Sequence, residues 1–392
     1  MTNPLRIALF SDSYHELNGV GTVSREFAAY AGRRGLPFCR VNAGPVTRLD
    51  QTGSVTSIEL KRGIRIPLDK DLFFDPLLNR YRNRVMADLK KFQPDLIHIT
   101  GPSDIGILGF WISNLMNVPM VASWHTNLHE YAGRRVLKTL GSKWAAGLAE
   151  RQSLRALLAF YRLAHFVVAP NQPMVDLLAE RIRRPAYLMK HGVDAVRFSP
   201  RCADDNGQFC IGWVGRLTPE KNVRAFAQID RCLRAAGESN FRMLLVGDGS
   251  EGKWLRQHLP EAAMPGFLQG NALAHAFASM DAFIFPSETD TFGLVVLEAM
   301  ASGVPVMLSP EAGRRIGLEN SVQGFLSDNF CDGILTLMRG NGLRHKMGDA
   351  AACFARTQGW NGVFEDLYRT YAVALENPQV RSRKKRRPAR AD

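Results

Sequence analysis

The feature that most constrains this chain is the alternation of short apolar runs with helical patterns. Runs at 6–10, 38–42, 95–99, 119–123, 166–169 and 186–189 form one series, and runs at 210–214, 242–246, 266–268, 282–285 and 305–308 form a second. None shows the apolar–polar alternation of a half-solvated strand, as expected of parallel strands covered on both faces. Helical spacing of apolar residues lies between them, at 23–34, 175–183, 223–236 and 295–302. Strand and helix in alternation predict an α/β fold with sites at the carboxyl ends of the strands. The two series are separated by HGVDAVRFSPRCADDN, a polar stretch with Gly and Pro, which reads as a linker. The expectation is two Rossmann-like domains, 1–195 and 196–360. After Trp360 a helix over 361–377 places Val363, Phe364, Leu367, Tyr371 and Leu375 at helical spacing, with no docking partner visible.

At 392 residues, 46% hydrophobic and 22% charged, the chain can bury large cores without staples, which excludes collagen-like, disulfide-scaffold and mostly disordered classes. Its net charge of +13 first suggests nucleic acid or an anionic membrane. Nearly half of it lies in RSRKKRRPARAD at 381–392, within a tail, 378–392, that composition predicts to be disordered. Six cysteines without CxxC spacing predict neither a metal site nor a disulfide framework and fit a reducing cytosol. The first apolar stretch is too short for a signal peptide and meets Asp12 at once. Residues 105–124 lack formal charge, yet Ser113, Asn114, Asn117, Pro119 and Ser123 interrupt them, so they read as a helix and a strand and not as a membrane span.

Four segments carry chemistry. Asn18-Gly19-Val20-Gly21 follows the first strand, where glycines admit a ligand and a helix start offers N–H groups to phosphate. Gly215-Arg216-Leu217-Thr218-Pro219-Glu220-Lys221-Asn222 follows the first strand of the second series. Thr218 fits an N-cap and Pro219 the first helical position, so Arg216 and Lys221 would flank a helix start that favours a diphosphate. Gly247-Asp248-Gly249-Ser250-Glu251-Gly252 spells a dinucleotide fingerprint. It sits mid-domain, however, and Leu268-Gln269-Gly270 stands where an acidic ribose partner belongs. The richest run, PSETDTFGLVVLEAMASGVPV from Pro286, puts Asp290 in a turn and Glu298 inside the following helix. A carboxylate in a helix-opening loop suits sugar hydroxyls.

TDTFGLVVLEAMASGVPV, with GRLTPEKN, HGVDAVRFSP, NGVGTV and PDLIHITGP, together resemble the retaining glycosyltransferases of the GT-B fold, family 4. The closest subgroup is the sulfoquinovosyl- and mannosyl-transferase-like enzymes that modify lipids. The resemblance covers residues 5 to about 375 and implies two Rossmann-like domains facing a cleft, with the C-terminal helix crossing back to the first. The first domain would bind a lipid or saccharide acceptor, and the second a UDP- or GDP-sugar. It implies no metal and no cofactor, because cations and helix dipoles neutralise the diphosphate. Asp290 and Glu298 match the paired-acid motif: Glu298 for the ribose, and Asp290 for the donor sugar with amides of Thr291, Phe292, Gly293 and Leu294. Arg216 and Lys221, beside Gly215, would hold the diphosphate, and Gly19 and Gly21 would line it from the acceptor side. His125, in SWHTN, matches a histidine that contacts the donor sugar. Asp290 stands where most of the family has Glu, which bears on donor identity.

Cations at the diphosphate stabilise charge that builds as the glycosyl bond loosens. No carboxylate pair at nucleophile spacing emerges, and the family view is same-face attack with the leaving phosphate as base. Basic residues Arg134, Arg135, Lys138, Lys143, Arg151, Arg155 and Arg162, interleaved with Leu137, Leu140, Trp144 and Leu148, predict an amphipathic surface at 134–162 for an anionic membrane. The chain would then be cytoplasmic, and peripheral at the membrane. Two other readings stay open: an NAD-dependent oxidoreductase using Gly247–Gly252, and a nucleic-acid binder using the tail. The tail has no interleaved aromatics, which disfavours the latter.

Overall fold

The computed structural model describes residues 4–16, 18–69, 72–125, 127–199, 207–287 and 290–380. The basic tail at 381–392, Thr126, Glu288 and linker residues 200–206 lie outside them, as do the side chains of Arg134, Lys138 and Leu140. The chain divides into two compact units, one holding residues up to Lys190 with the helix from Trp360, the other His191–Gly359. Each has its own buried apolar core. The second unit is tied at its ends by a bridge between Val193 and Gly359, and the Val193 N–H donates to the Gln358 carbonyl.

The first unit contains β1 (Ile7–Ser11), α1 (Gly19–Arg33), β2 (Phe38–Gly44), β3 (Arg48–Thr52), β4 (Val55–Lys61), β5 (Ile66–Asp69), β6 (Leu72–Phe74), α2 (Arg82–Phe92), β7 (Leu96–Ile99) and α3 (Asp104–Met116). It continues with β8 (Met120–Ser123), α4 (Leu128–Leu140), α5 (Lys143–Tyr161), β9 (Phe166–Ala169), α6 (Gln172–Ile182) and β10 (Ala186–Leu188). Its main sheet runs β10-β9-β8-β7-β1-β2-β4-β3, parallel except for β3, which pairs antiparallel with β4. The central strands β1, β7, β8 and β9 are buried at every position, matching their unbroken apolar runs. The β3–β4 hairpin was not legible: RLDQT is exposed at every residue and carries no apolar run. α3 and β8 account for 105–124, and no helix among the described residues is long and apolar enough to cross a membrane.

The second unit contains β11 (Phe209–Val214), α7 (Ala225–Ala235), β12 (Phe241–Val246), α8 (Gly252–His258), β13 (Ala263–Gly266), α9 (Gly270–Ala278), β14 (Ala282–Phe285) and α10 (Leu294–Ala301). β15 (Val306–Leu308), α11 (Pro310–Ile316), β16 (Gly324–Leu326), α12 (Phe330–Arg339) and α13 (Asn341–Thr357) complete it. The sheet order is β13-β12-β11-β14-β15-β16, all parallel, so the winding reverses between β11 and β14. In doubly wound sheets, ligands bind outside the carboxyl ends of the strands at such a reversal. β13 lies a few residues before the expected run at 266–268, at an edge where half its residues are exposed. Cys232 on α7 and Cys331 on α12 are joined by a disulfide, with Cα atoms 6.4 Å apart and a sequence separation of 99. Local spacing could not show this pairing, because the packing of α7 on α12 creates it.

The final helix, α14 (Trp360–Glu376), belongs to the first unit. Its apolar face packs on α1: Phe364 stacks on Phe27 at 4.6 Å, and Tyr368 meets Tyr30 and Phe27. Phe364, Leu367 and Tyr371 are fully buried there. That face needed a partner, and only the fold shows which.

Candidate active site

At the reversal of the second sheet, the loop after β11 meets the loop after β14. The Lys221 ammonium pairs with Asp290 Oδ1, with both side chains mostly buried. Burial alone would raise the Asp290 carboxyl, but Lys221, with Arg216 acting in the same sense, holds it below the usual carboxylate range. Asp290 Oδ2 is buried without a hydrogen-bond partner among the described residues. Arg216 also lies 3.6 Å from Glu220. Three predicted residues, Arg216, Lys221 and Asp290, are thus brought together from positions about 70 apart in sequence.

The local reason differs from the one expected. Thr218 does not cap an α-helix opening at Pro219. Pro219–Lys221 forms a single 3₁₀ turn, Asn222 then takes a left-handed φ of 52°, and α7 begins only at Ala225. The Thr218 hydroxyl donates to Glu220 at 2.7 Å instead. Charge at this site therefore rests on the side chains Arg216 and Lys221 and not on a helix terminus at Pro219.

The glycine fingerprint is absorbed by packing. A Cβ at Gly247 would lie 1.9 Å from the Gly215 carbonyl oxygen, and one at Gly249 would lie 2.2 Å from that of Leu217. The two glycines let the loop after β12 press against the loop that carries Arg216, and the Leu217 N–H donates to the Asp248 carbonyl. That is a structural demand for glycine with no dinucleotide in it, which removes the motif's support for an oxidoreductase.

Beyond Asp290, Thr291 is half-buried, and Phe292 is buried with its ring edge-on to His191 at 4.8 Å. Gly293 precedes α10 at φ 81°, where a Cβ would also strike the Phe285 ring. Leu294 opens the helix and packs partly on the core. Burial raises Glu298, one turn further on, to about 7, against the opposing effect of Arg197. Hydrogen-bond donors reaching such a carboxyl would favour its ionised form and draw its titration back down.

In the first unit the winding reverses at β1 and β7. Asp12, just past β1, accepts from the Thr100 hydroxyl at 3.1 Å, and burial raises its carboxyl. Asn18 caps α1, its Oδ1 accepting from the Gly21 N–H at 2.9 Å. Gly21 is required by its own chain: a Cβ would sit 2.4 Å from the carbonyl oxygens of Ser13 and Glu16. Gly19 is exposed at the helix start. His125 follows β8, with Nε2 2.8 Å from Ser123 Oγ, and burial pushes it down to about 4. It is a neutral imidazole at neutral pH.

Residues 17–197 match the profile described as Glycosyltransferase Family 4, and residues 208–339 that described as Glycosyl transferases group 1. A GDP-mannose-dependent alpha-mannosyltransferase of Mycolicibacterium smegmatis is 31% identical over 318 residues, 77% of this chain and 79% of that protein. The chain belongs to glycosyltransferase family 4. An alpha-monoglucosyldiacylglycerol synthase of Streptococcus pneumoniae is 25% identical over 77% of this chain and 70% of that protein. Among solved structures, a sucrose-phosphate synthase of Thermosynechococcus elongatus superposes with a TM-score of 0.71 over 94% of this chain and 100% of that one, at 17% identity. The fold is therefore GT-B, built from two Rossmann-like units.

Two residues that shape these candidate-site loops carry no sequence signal. Arg315 on α11 donates to the Asp290 carbonyl at 2.9 Å and so pins the acid's backbone. Arg25 donates to the carbonyls of Tyr14 and Glu16 at 2.7 and 2.9 Å and holds the loop before Gly19. Both are ordinary helical arginines in sequence, and their role exists only through the loops that fold against them.

Proposed function

We propose that the protein transfers a hexose from a UDP- or GDP-linked donor to a lipid or glycolipid acceptor, with retention of anomeric configuration and without a metal. The observation that carries this reading is the Lys221–Asp290 pair with Arg216 beside it, at the switch point of the second sheet. The two cations receive the diphosphate. Asp290, with its buried Oδ2, accepts from a donor-sugar hydroxyl, and Glu298 accepts from the ribose. Amides of Thr291, Phe292, Gly293 and Leu294 lie at the start of α10, where the helix favours negative charge. In the reaction the bond from the anomeric carbon to the diphosphate oxygen breaks, and the acceptor oxygen bonds that carbon on the same face. The acceptor proton passes to the leaving phosphate. Fixed cations stabilise this charge more in the transition state than in the ground state.

The relatives guide the choice of substrates. One is named for GDP-mannose and another for a glucosyl diacylglycerol product, so GDP-mannose with a glycerolipid acceptor is the first pair to assay. In the first unit, Gly19, Gly21 and His125 serve the acceptor side and the donor sugar. An anionic membrane contact fits the α4–α5 pair, where Trp144 is 74% exposed beside Lys143. The deciding experiment screens UDP- and GDP-hexoses with lipid extracts, using wild type, Arg216→Ala and Lys221→Ala. Each variant is expected to lose about 100-fold or more in kcat. Wild-type turnover in both variants would overturn the assignment, and an inverted anomeric signal in the product would overturn retention.

A further inference from the structure

A chain of buried hydrogen bonds runs from the C-terminal helix to His125. The Tyr371 hydroxyl on α14 lies 2.6 Å from His98 Nδ1 on β7. His98 Nε2 lies 2.9 Å from Ser123 Oγ at the end of β8, and Ser123 Oγ lies 2.8 Å from His125 Nε2. Tyr371, His98 and Ser123 are all at most 1% exposed. Nothing in the sequence linked position 371 to position 125.

The chain has a polarity. Among the described residues the Tyr371 hydroxyl meets no acceptor other than His98 Nδ1. A buried hydroxyl proton left without an acceptor is costly, so Tyr371 donates and Nδ1 accepts. A neutral His98 then carries its proton on Nε2 and donates to Ser123 Oγ. Ser123 has one proton to give. It can go to His125 Nε2 at 2.8 Å or to the Ile99 carbonyl at 3.4 Å, and the shorter contact wins. His125 Nε2 is then an acceptor, and its proton sits on Nδ1. Burial keeps both rings neutral, with His98 pushed down to about 3 and His125 to about 4, so neither ring is a double donor that would break the order.

We propose that Tyr371 and His98 are positioning residues that, through Ser123, lock His125 in the Nδ1–H tautomer and make it a hydrogen-bond donor, not a base. The consequence for catalysis rests on the role given to His125 above, but the tautomer does not. As a donor at Nδ1, His125 takes no proton from the acceptor, leaving that task to the departing phosphate. The C-terminal helix becomes part of the catalytic apparatus of the first unit through one hydroxyl group. This also accounts for a histidine on a central, fully buried strand, where an apolar residue would be cheaper.

The test uses the full-length protein. Nitrogen-15 NMR of labelled histidines is expected to show His125 protonated at Nδ1 in wild type. In Tyr371→Phe and Ser123→Ala the Nε2–H form should appear. Turnover is expected to fall about five-fold in Tyr371→Phe and about ten-fold in Ser123→Ala, with donor KM within about two-fold of wild type. Wild-type His125 protonated at Nε2 would overturn the proposal. So would a Tyr371→Phe protein with unchanged tautomer ratio and unchanged kcat. If His125→Ala keeps wild-type turnover while the tautomer data hold, the functional reading of His125 fails and the relay stands.

Discussion

At the scale of single residues, the site is defined by what burial does to its carboxylates. Asp290 is held ionised by Lys221, whereas Glu298 is raised to about 7. If Glu298 holds the ribose as proposed, the diol donates to its ionised form, and a proton on the free protein competes with the donor. The kcat/KM for the sugar nucleotide is therefore expected to rise with pH up to about 7, by as much as tenfold per unit, and to level above it. In Glu298→Gln that limb should vanish, and a pH–rate profile checks this. The sign for stability is the reverse. The folded protein keeps a proton on Glu298 that the unfolded chain has already lost, so this group lowers stability as pH rises from its ordinary value towards 7. Of the site residues, those at loop glycines and in the paired-acid run were legible because their local pattern is rare. Arg315, Arg25 and the Tyr371–His98–Ser123 relay were not, because each acts through a contact made between distant segments.

At the scale of elements, α4 and α5 show where a sequence pattern needs correction. The stretch 134–162 is two helices and not one amphipathic surface. The chain turns at Gly141, with φ 64°, and the helices approach closely at Gly133, where a Cβ would lie 3.1 Å from Glu150 Cβ. Along α5, Tyr161 is buried and Leu154, Leu157 and Leu158 pack on the core, while Trp144 and Leu148 stay exposed near the turn with Lys143, Arg151 and Arg155. The exposed face of α5, from Lys143 to Arg155, is available to a surface. If it meets an anionic bilayer, Trp144→Ala and Lys143→Glu should each weaken flotation with anionic vesicles by several-fold, since each basic residue near such a surface contributes about 1 kcal/mol. Equal flotation of wild type and both variants would remove this surface from consideration.

At the scale of the whole molecule, the first unit is discontinuous in sequence. It is completed by α14, which returns after the entire second unit. Ending the chain at Gly359 is expected to unfold the first unit. Trp360, Phe364, Leu367 and Tyr371 are buried, and at about 1.5–3 kcal/mol each their loss rivals a domain's total stability of about 5–15 kcal/mol. Circular dichroism and thermal melting of the truncated protein would show it. Residues 191–359, with a continuous chain and their own core, should fold alone and bind the donor nucleotide, which a thermal shift with GDP and UDP can measure. For the intact protein, transfer is expected to persist in EDTA if Arg216 and Lys221 neutralise the diphosphate. Loss of activity restored by a divalent cation would overturn the metal-free reading.

The sequence alone determined the α/β class, the two series of strands and the family, because unbroken apolar runs and the loop motifs are local and survive without knowledge of the partner. It also singled out Arg216, Lys221, Asp290 and Glu298 as candidates. Tertiary structure decided what those residues do to one another: that Lys221 grips Asp290, that Gly247 and Gly249 serve loop packing, that Cys232 meets Cys331, and that Tyr371 reaches His98. These are contacts across roughly 30 to 270 residues of chain, whose energies depend on distance and burial, and neither quantity is written in local spacing.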